Sequence, residues 1–162
     1  MSTNWSGAPA RRLQCGVRDV RFGKDVTIVE PCNLYECTVG EGSFVGPFVE
    51  VQEGATIGRN TRIQSHAFVC SKVSIGDDCF IGHGVMFTND KFADGRVHEE
   101  ASAWMPTNVG DRVLIGSGAT ILPVNICSDV VIGAGATVTK NITEPGKYVG
   151  VPAQRLSEAT AR

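Results

Sequence analysis

From Val39 onward an apolar residue returns at every sixth position: Val39, Val45, Val51, Ile57, Ile63, Val69, Ile75, Ile81 and Phe87. Position i+1 is glycine at Gly40, Gly46, Gly58, Gly76 and Gly82. Position i+4 reads Ser43, Val49, Ala55, Thr61, Ala67, Val73, Cys79 and Val85, all small or β-branched. No window carries apolar residues at i, i+3, i+4 and i+7 over several turns, which argues against a helical protein. A six-residue unit is too short to bury anything alone, but stacked units bury a continuous core. The branched residue at i points into that narrow core, and only a small partner fits beside it at i+4. Glycine at i+1 is expected to supply backbone freedom for the turns.

The rhythm begins loosely upstream at Val20, Val26 and Cys32, with one extra residue before Val39. It resumes at Val109, Ile115 and Ile121, loses one residue before Ile126, and returns with Ile132 and Val138. Residues 88–108 carry no such period. The reading is therefore one domain over 1–162, with coils at about 17–87 and 109–142, an extruded loop at 88–108 and a C-terminal cap at 143–162. A long loop leaving a regular solenoid costs ordering entropy and usually has a functional reason.

Other classes are disfavoured. The chain carries 15 basic and 17 acidic residues, so no basic field invites nucleic acid. No apolar run approaches the ~18 residues of a membrane span. The polar stretch Met1–Ala10 lacks the apolar segment of a secretion signal, so a cytoplasmic location is expected. Cys15, Cys32, Cys37, Cys70, Cys79 and Cys127 include no C-x-x-C pair and read as free thiols, several of them in the core.

The [Ile/Val]-Gly-x-x-[small]-x repeat resembles that of the hexapeptide-repeat acyltransferases. The resemblance implies an all-β, left-handed parallel β-helix with three hexapeptides per coil, hence about six coils here. It also implies a homotrimer and acetyl-CoA as co-substrate, with no metal.

His66 and His83 both fall in turns, 17 residues apart against a coil of 18, so they should share one corner of adjacent coils. Ser65 would then stack on His83, and with ~4.8 Å between strands both rings would line one groove. His98 lies in the loop. The stretch Ile81-Gly82-His83-Gly84-Val85-Met86-Phe87-Thr88-Asn89-Asp90 is similar to a narrower branch of the family. So are Arg62-Ile63-Gln64-Ser65-His66 and Asn33-Leu34-Tyr35. That branch N-acetylates amino sugars carried on a nucleotide, typically 3-amino-3-deoxyhexoses on UDP or dTDP, for lipopolysaccharide and other surface glycans. The resemblance implies that Asn89 orients the acceptor nitrogen while the departing CoA sulfur takes the proton. By spacing, His83 and Asp90 are the candidates for a side-chain base. Arg62, Gln64, His66, Glu50, Trp104 and His98 are the candidate contacts to sugar or nucleotide.

Asn89 and Asp90 stand where many members of the family carry a catalytic histidine. An alcohol acceptor needs a strong general base, worth ~10²–10⁴ in rate, whereas an amine need only be presented neutral. The pair therefore suits an amine. The donor site is read from the small-residue turns Ile115-Gly116-Ser117-Gly118-Ala119 and Ile132-Gly133-Ala134-Gly135-Ala136, which leave backbone open to the amides of pantetheine. Ser117, Gly118, Ala134 and Gly135 are the expected contacts. Lys140, Val151, Pro152 and Arg155 resemble the family's terminal signature, a prolyl turn over adenine with cations near the phosphates.

Two alternatives stay open. A γ-class carbonic anhydrase shares the solenoid but needs three converging imidazoles, and here they are 17 and 15 residues apart. A non-catalytic scaffold would use the faces for assembly alone.

Overall fold

A computed structural model describes residues 15–98 and 100–157; the polar Met1–Ala10 and the last five residues of the expected cap lie outside them. The chain is a parallel β-solenoid of seven turns, a left-handed β-helix, and the described residues include no α-helix. Each turn is a triangle. The first face stacks Val17–Arg18, Asn33–Tyr35, Glu50–Val51, Phe68–Val69, Met86–Phe87, Thr120–Ile121 and Thr137–Val138. The second stacks Arg21–Phe22, Thr38–Val39, Thr56–Ile57, Val73–Ile75, Thr107–Val109 and Asn125–Ile126. The third stacks Thr27–Ile28, Phe44–Val45, Arg62–Ile63, Phe80–Ile81, Leu114–Ile115, Val130–Ile132 and Gly146–Val149, with Gln154–Arg155 folding back antiparallel at the end.

The six-residue spacing thus places one inward residue at the centre of each face. Val39, Val45, Val51, Ile63, Val69, Ile81, Ile115 and Ile121 are fully buried. Truncating one such isoleucine to alanine typically costs ~2–5 kcal/mol, because a stacked core cannot collapse onto the gap. The i+4 companions fill the corners, and where they are polar they bond between coils. Ser43 Oγ donates to Gly58 O at 2.8 Å and accepts Thr61 N at 2.9 Å. Thr61 Oγ1 repeats this one coil on, with Gly76 O at 2.9 Å and Cys79 N at 3.0 Å.

The structure corrects the sequence reading in four places. First, the i+1 glycines do not have left-handed backbones. A Cβ on Gly40, Gly58 or Gly76 would lie 2.4–2.7 Å from the backbone of the next coil, so close stacking excludes a side chain there. The left-handed residue is at i+3, as at Asn60, His66, Asp78 and Gly84.

Second, the inward residues upstream are Phe22, Ile28 and Leu34, which pair with Val39, Val45 and Val51. Val26 and Cys32 hold the i+4 place. Both columns are apolar, so a period of six locks onto either. Third, there are seven turns rather than six. Ile142 bridges to Ile126, and Gly146–Val149 pairs in parallel with Val130–Ile132, so the solenoid continues past Val138. Fourth, Thr107 and Asn108 already belong to the second face, so the loop ends at Pro106. Register there jumps from Val73 to Thr107, 34 residues where an intact coil takes 17 or 18.

Three corners join the faces. The first, between the first and second faces, gives rise to the loop. The second joins the second face to the third. The third joins the third face of one coil to the first face of the next.

Candidate active site

The third corner collects most of the predicted contacts. One position supplies Pro47, Ser65, His83, Ser117 and Ala134, linked coil to coil by backbone bonds such as Gly84 N to Ser65 O and Gly118 N to His83 O. The next position supplies Phe48, His66, Gly84, Gly118 and Gly135, all left-handed. His83 and His66 do lie on one corner of adjacent coils. Ser65 Oγ and His83 Nδ1 are 2.8 Å apart, which fixes the ring and leaves Nε2 facing outward. Beyond Gly84 the corner is bare: a Cβ on Gly84, Gly118 or Gly135 would meet nothing within 4 Å. Ser117 and Ala134 are exposed beside them, so backbone polar groups are accessible along three successive coils.

The turn at Gly150, Val151 and Pro152 continues this corner. Lys140, Pro152 and Arg155 share a cavity of about 230 Å³ with Tyr148 and Ala153. Arg155 is engaged there, donating to Glu144 Oε2 at 2.6 Å and to Pro145 O at 3.1 Å.

Asn89 and Asp90 are elsewhere. They leave the first corner, at the far end of the strand Met86–Phe87 from His83, so one chain does not bring His83 together with Asn89. Asp90 organises the loop. Its carboxylate accepts Phe92 N at 2.8 Å, His98 N at 3.1 Å and His98 Nδ1 at 3.0 Å. His98 Nε2 reaches Asp94 Oδ2 at 3.2 Å, so both ring nitrogens face carboxylates. The bond to Asp90 chiefly raises the His98 pKa above its ordinary value, with Asp94 adding to it. The Phe92 amide, with help from His98, lowers that of Asp90. A carboxylate held this way anchors the loop and is a poor base.

Trp104 Nε1 donates to His98 O at 2.8 Å, Lys72 Nζ to Trp104 O at 2.9 Å, and Met105 N to Asn89 O at 2.8 Å. His98 and Trp104 therefore build the loop together. Thr88 Oγ1, at the loop's root, is buried without a partner.

Of the remaining candidates, Gln64 is half-buried at the start of the third corner. Arg62 projects from the third face, its guanidinium 4.6 Å from the centre of the Phe44 ring. Glu50 projects from the first face and accepts Gln52 Nε2 at 2.8 Å.

Sequence reasoning passed over Phe48, whose ring stacks on His66 with centroids 4.8 Å apart; its place 18 residues before His66 was the available signal. Burial raises the thiol pKa values of Cys37 and Cys70 to about 11, so neither is a nucleophile at neutral pH. No three histidine, cysteine, aspartate or glutamate side chains group as metal ligands among the described residues, and no helix there is long and apolar enough to cross a membrane.

Two family models match the chain: bacterial transferase hexapeptide (six repeats) over residues 36–71, and hexapeptide repeat of succinyl-transferase over 72–86 and 106–140. Curated relatives include the bifunctional protein GlmU of Lactobacillus johnsonii, 36% identical over 89 residues, or 54% of this chain and 16% of that one. GlmU of Acidithiobacillus ferrooxidans is 28% identical over 134 residues, covering 65% of this chain and 29% of its own. The chain thus spans well under half the length of these relatives.

Among solved structures, a hexapeptide-repeat acetyltransferase of Vibrio cholerae complexed with acetyl-CoA is similar, with TM-score 0.63, 25% identity, and 74% and 69% of the two chains covered. The fold is shared with a mutant perosamine N-acetyltransferase of Caulobacter crescentus in complex with CoA and GDP-perosamine, with TM-score 0.62, 23% identity, and 86% and 54% covered. It is shared too with a mutant of AntD, an N-acyltransferase of Bacillus cereus, in complex with dTDP and CoA, with TM-score 0.66, 19% identity, and 86% and 81% covered. The two family models together span more than half of the sequence, and the chain belongs to the bacterial hexapeptide-repeat transferase family.

Proposed function

We propose that the protein is an acetyl-CoA-dependent N-acetyltransferase acting on an amino sugar linked to a nucleotide, of the kind used in surface-glycan assembly. The observation that carries this reading is the third corner, where bare backbone at Gly135 and Gly118 leads coil by coil to His83. Pantetheine pairs its amides with such backbone, and the three strand spacings of ~4.8 Å from His83 through Gly118 and Gly135 to the turn at Pro152 match the length of its arm. Relatives of the same fold that hold CoA together with GDP-perosamine or dTDP support the acceptor class.

In the proposed reaction the acceptor nitrogen attacks the thioester carbonyl. A C–N bond forms, the C–S bond breaks, and the ammonium proton passes to the departing thiolate, directly or through His83 Nε2. Ser65 is a hydroxyl partner for His83 rather than a carboxylate, so it orients the ring without strengthening it as a base. That suits an amine. Asp90 is committed to the loop, and Asn89 has a side-chain carbonyl that accepts an N–H. His83 and Asn89 sit on different corners, so the complete site takes the third corner of one chain and the loop of its neighbour in a homotrimer.

The test is thiol release from acetyl-CoA with nucleotide-linked amino sugars and the matching hydroxyl sugars. Turnover is expected with an amino sugar only, and a protein that neither turns over nor binds acetyl-CoA sinks the reading. Asn89→Ala and His83→Ala should each lose activity, and mixing the two inactive variants should restore part of it through trimers with one intact shared site. Failure of the mixture to recover, with both variants folded, would rule out the shared site.

A further inference from the structure

We propose that the exposed Phe48 ring is the site for the nucleobase of the acceptor, with Glu50 and Asn33 beside it meeting the edge of the base. This rests on the nucleotide-sugar reading above.

Phe48 is 56% exposed, and its ring stacks on that of His66. It also holds a left-handed backbone, φ 60°, as does His66 one coil on, in a column that becomes glycine at Gly84, Gly118 and Gly135. A bulky side chain there carries backbone strain. Next to it lies a cavity of about 230 Å³ lined by Pro31, Cys32, Asn33, Phe48 and Glu50, with Cys15 at its edge. That is below the ~300–1,000 Å³ of a drug-sized site and suits a single heterocycle.

The polar edge of the cavity carries an acceptor beside a donor. Asn33 and Glu50 are register partners on adjacent strands of the first face, so their side chains emerge side by side. Glu50 uses Oε1 to accept Gln52 Nε2, leaving Oε2 as an acceptor. Asn33 uses Oδ1 to accept Gly16 N at 3.4 Å, leaving its Nδ2 as a donor. An acceptor beside a donor meets a donor beside an acceptor on a base edge. Uracil, thymine and guanine present that pair as a ring N–H beside a C=O, adenine and cytosine as an exocyclic N–H beside a ring nitrogen, so this edge orients a base while the Phe48 ring holds it. Phe48 is two coils from His83, ~10 Å at ~4.8 Å per strand, which is the reach of a diphosphate and a ribose. The reacting amine at His83 and a base at Phe48 are therefore compatible with one extended nucleotide sugar.

Calorimetry on the full chain tests this with UDP, dTDP, GDP, ADP and CDP, and with inorganic pyrophosphate as the base-free probe. At least one of the five nucleotides should bind more tightly than pyrophosphate. Phe48→Leu, which keeps the apolar bulk but removes the stacking ring, should weaken the preferred nucleotide on the order of ten- to a hundredfold, and Phe48→Trp should preserve binding. Equal binding by Phe48→Leu and wild type overturns the site, as does pyrophosphate that binds as tightly as every nucleotide. Circular dichroism melting of both variants separates lost stacking from lost folding. The two proposals also fail separately. Acetyl-CoA turnover on an amino sugar whose KM ignores Phe48 removes the base site alone. Nucleotide binding that depends on Phe48, without any acetyl-CoA binding, removes the transferase reading alone.

Discussion

The second and third corners are built from the same hexapeptide, stack the same coils and share their inner residues, yet they are finished differently. At the second corner side chains tie each coil to the next. Arg59 N and its guanidinium both bond to Asp77, at 2.7 Å and 2.6 Å; Asp77 N donates to Asp111 Oδ1 at 2.9 Å, and Asp111 N to Ser128 Oγ at 2.9 Å. Arg112 pairs with Asp129 at 2.7 Å. At the third corner the equivalent places beyond His83 hold Ser117 and Ala134 with Gly118 and Gly135, and no side chain crosses between coils there among the described residues. A corner that serves only the fold fills its surface with bonds. One that serves a ligand leaves its backbone unfilled, and the core beneath carries the stability for both.

The largest expected effect comes from breaking what the corners share. Gly76→Val would put a Cβ 2.7 Å from the Gly110 backbone, with branches beyond it, and separate the coils. We expect a loss of about 3 kcal/mol or more, read as a collapse of the urea midpoint or failure to fold. A Cβ on Gly84 meets no atom within 4 Å, so Gly84→Val bears chiefly the strain of φ +64°, about 1–3 kcal/mol. If the two variants melt alike, close stacking is not the reason for the i+1 glycines.

Next is a change that only the ligand should notice. Ala134→Phe fills an exposed place on the third corner while leaving its backbone untouched. Acetyl-CoA affinity should fall on the order of a hundredfold with the melting temperature nearly unchanged. Arg59→Met, on the second corner, should leave acetyl-CoA affinity as it is. Equal affinities for both variants would show that the bare corner is not the donor site.

The solenoid was legible because its cause is repeated: each coil sets the same steric demand, so Val39 to Phe87 spell it nine times. Phase was legible only where i and i+4 differ in kind. At Val26 and Cys32 they do not, and the inward column was misplaced. The His66–His83 corner followed from the period of 18, and so did the stacking of Ser65 on His83. The loop was visible as a gap in the rhythm, but its interior was not. Asp90, Asp94 and His98 converge through an irregular path that no period encodes, so Asp90 read as a candidate base when its oxygens are occupied by the loop. His83 and Asn89, six residues apart in sequence, looked like neighbours. The strand between them, running the width of one face, sets them on different corners.

The smallest effect expected concerns that loop, where charged side chains rather than stacking hold the backbone. His98 is raised from 6.5 by Asp90 and Asp94, so its contribution is complete below pH 6.5 and fades as pH rises through the higher folded value. Asp90 is lowered from 3.8, so its contribution is present above pH 3.8 and fades as pH falls through the lower folded value. The clamp is then firmest between these two ordinary values. Proteolytic nicking within 91–103, corrected for the protease's own pH response, should be slowest near pH 5–6 and quicken above neutrality, while the coils stay intact throughout. His98→Gln should flatten that dependence without moving the main melting transition, because none of the described residues of this segment is buried. A nicking rate that is flat in wild type, or a main transition that shifts in His98→Gln, would mean that the loop is held by the solenoid beneath it and not by its own charges.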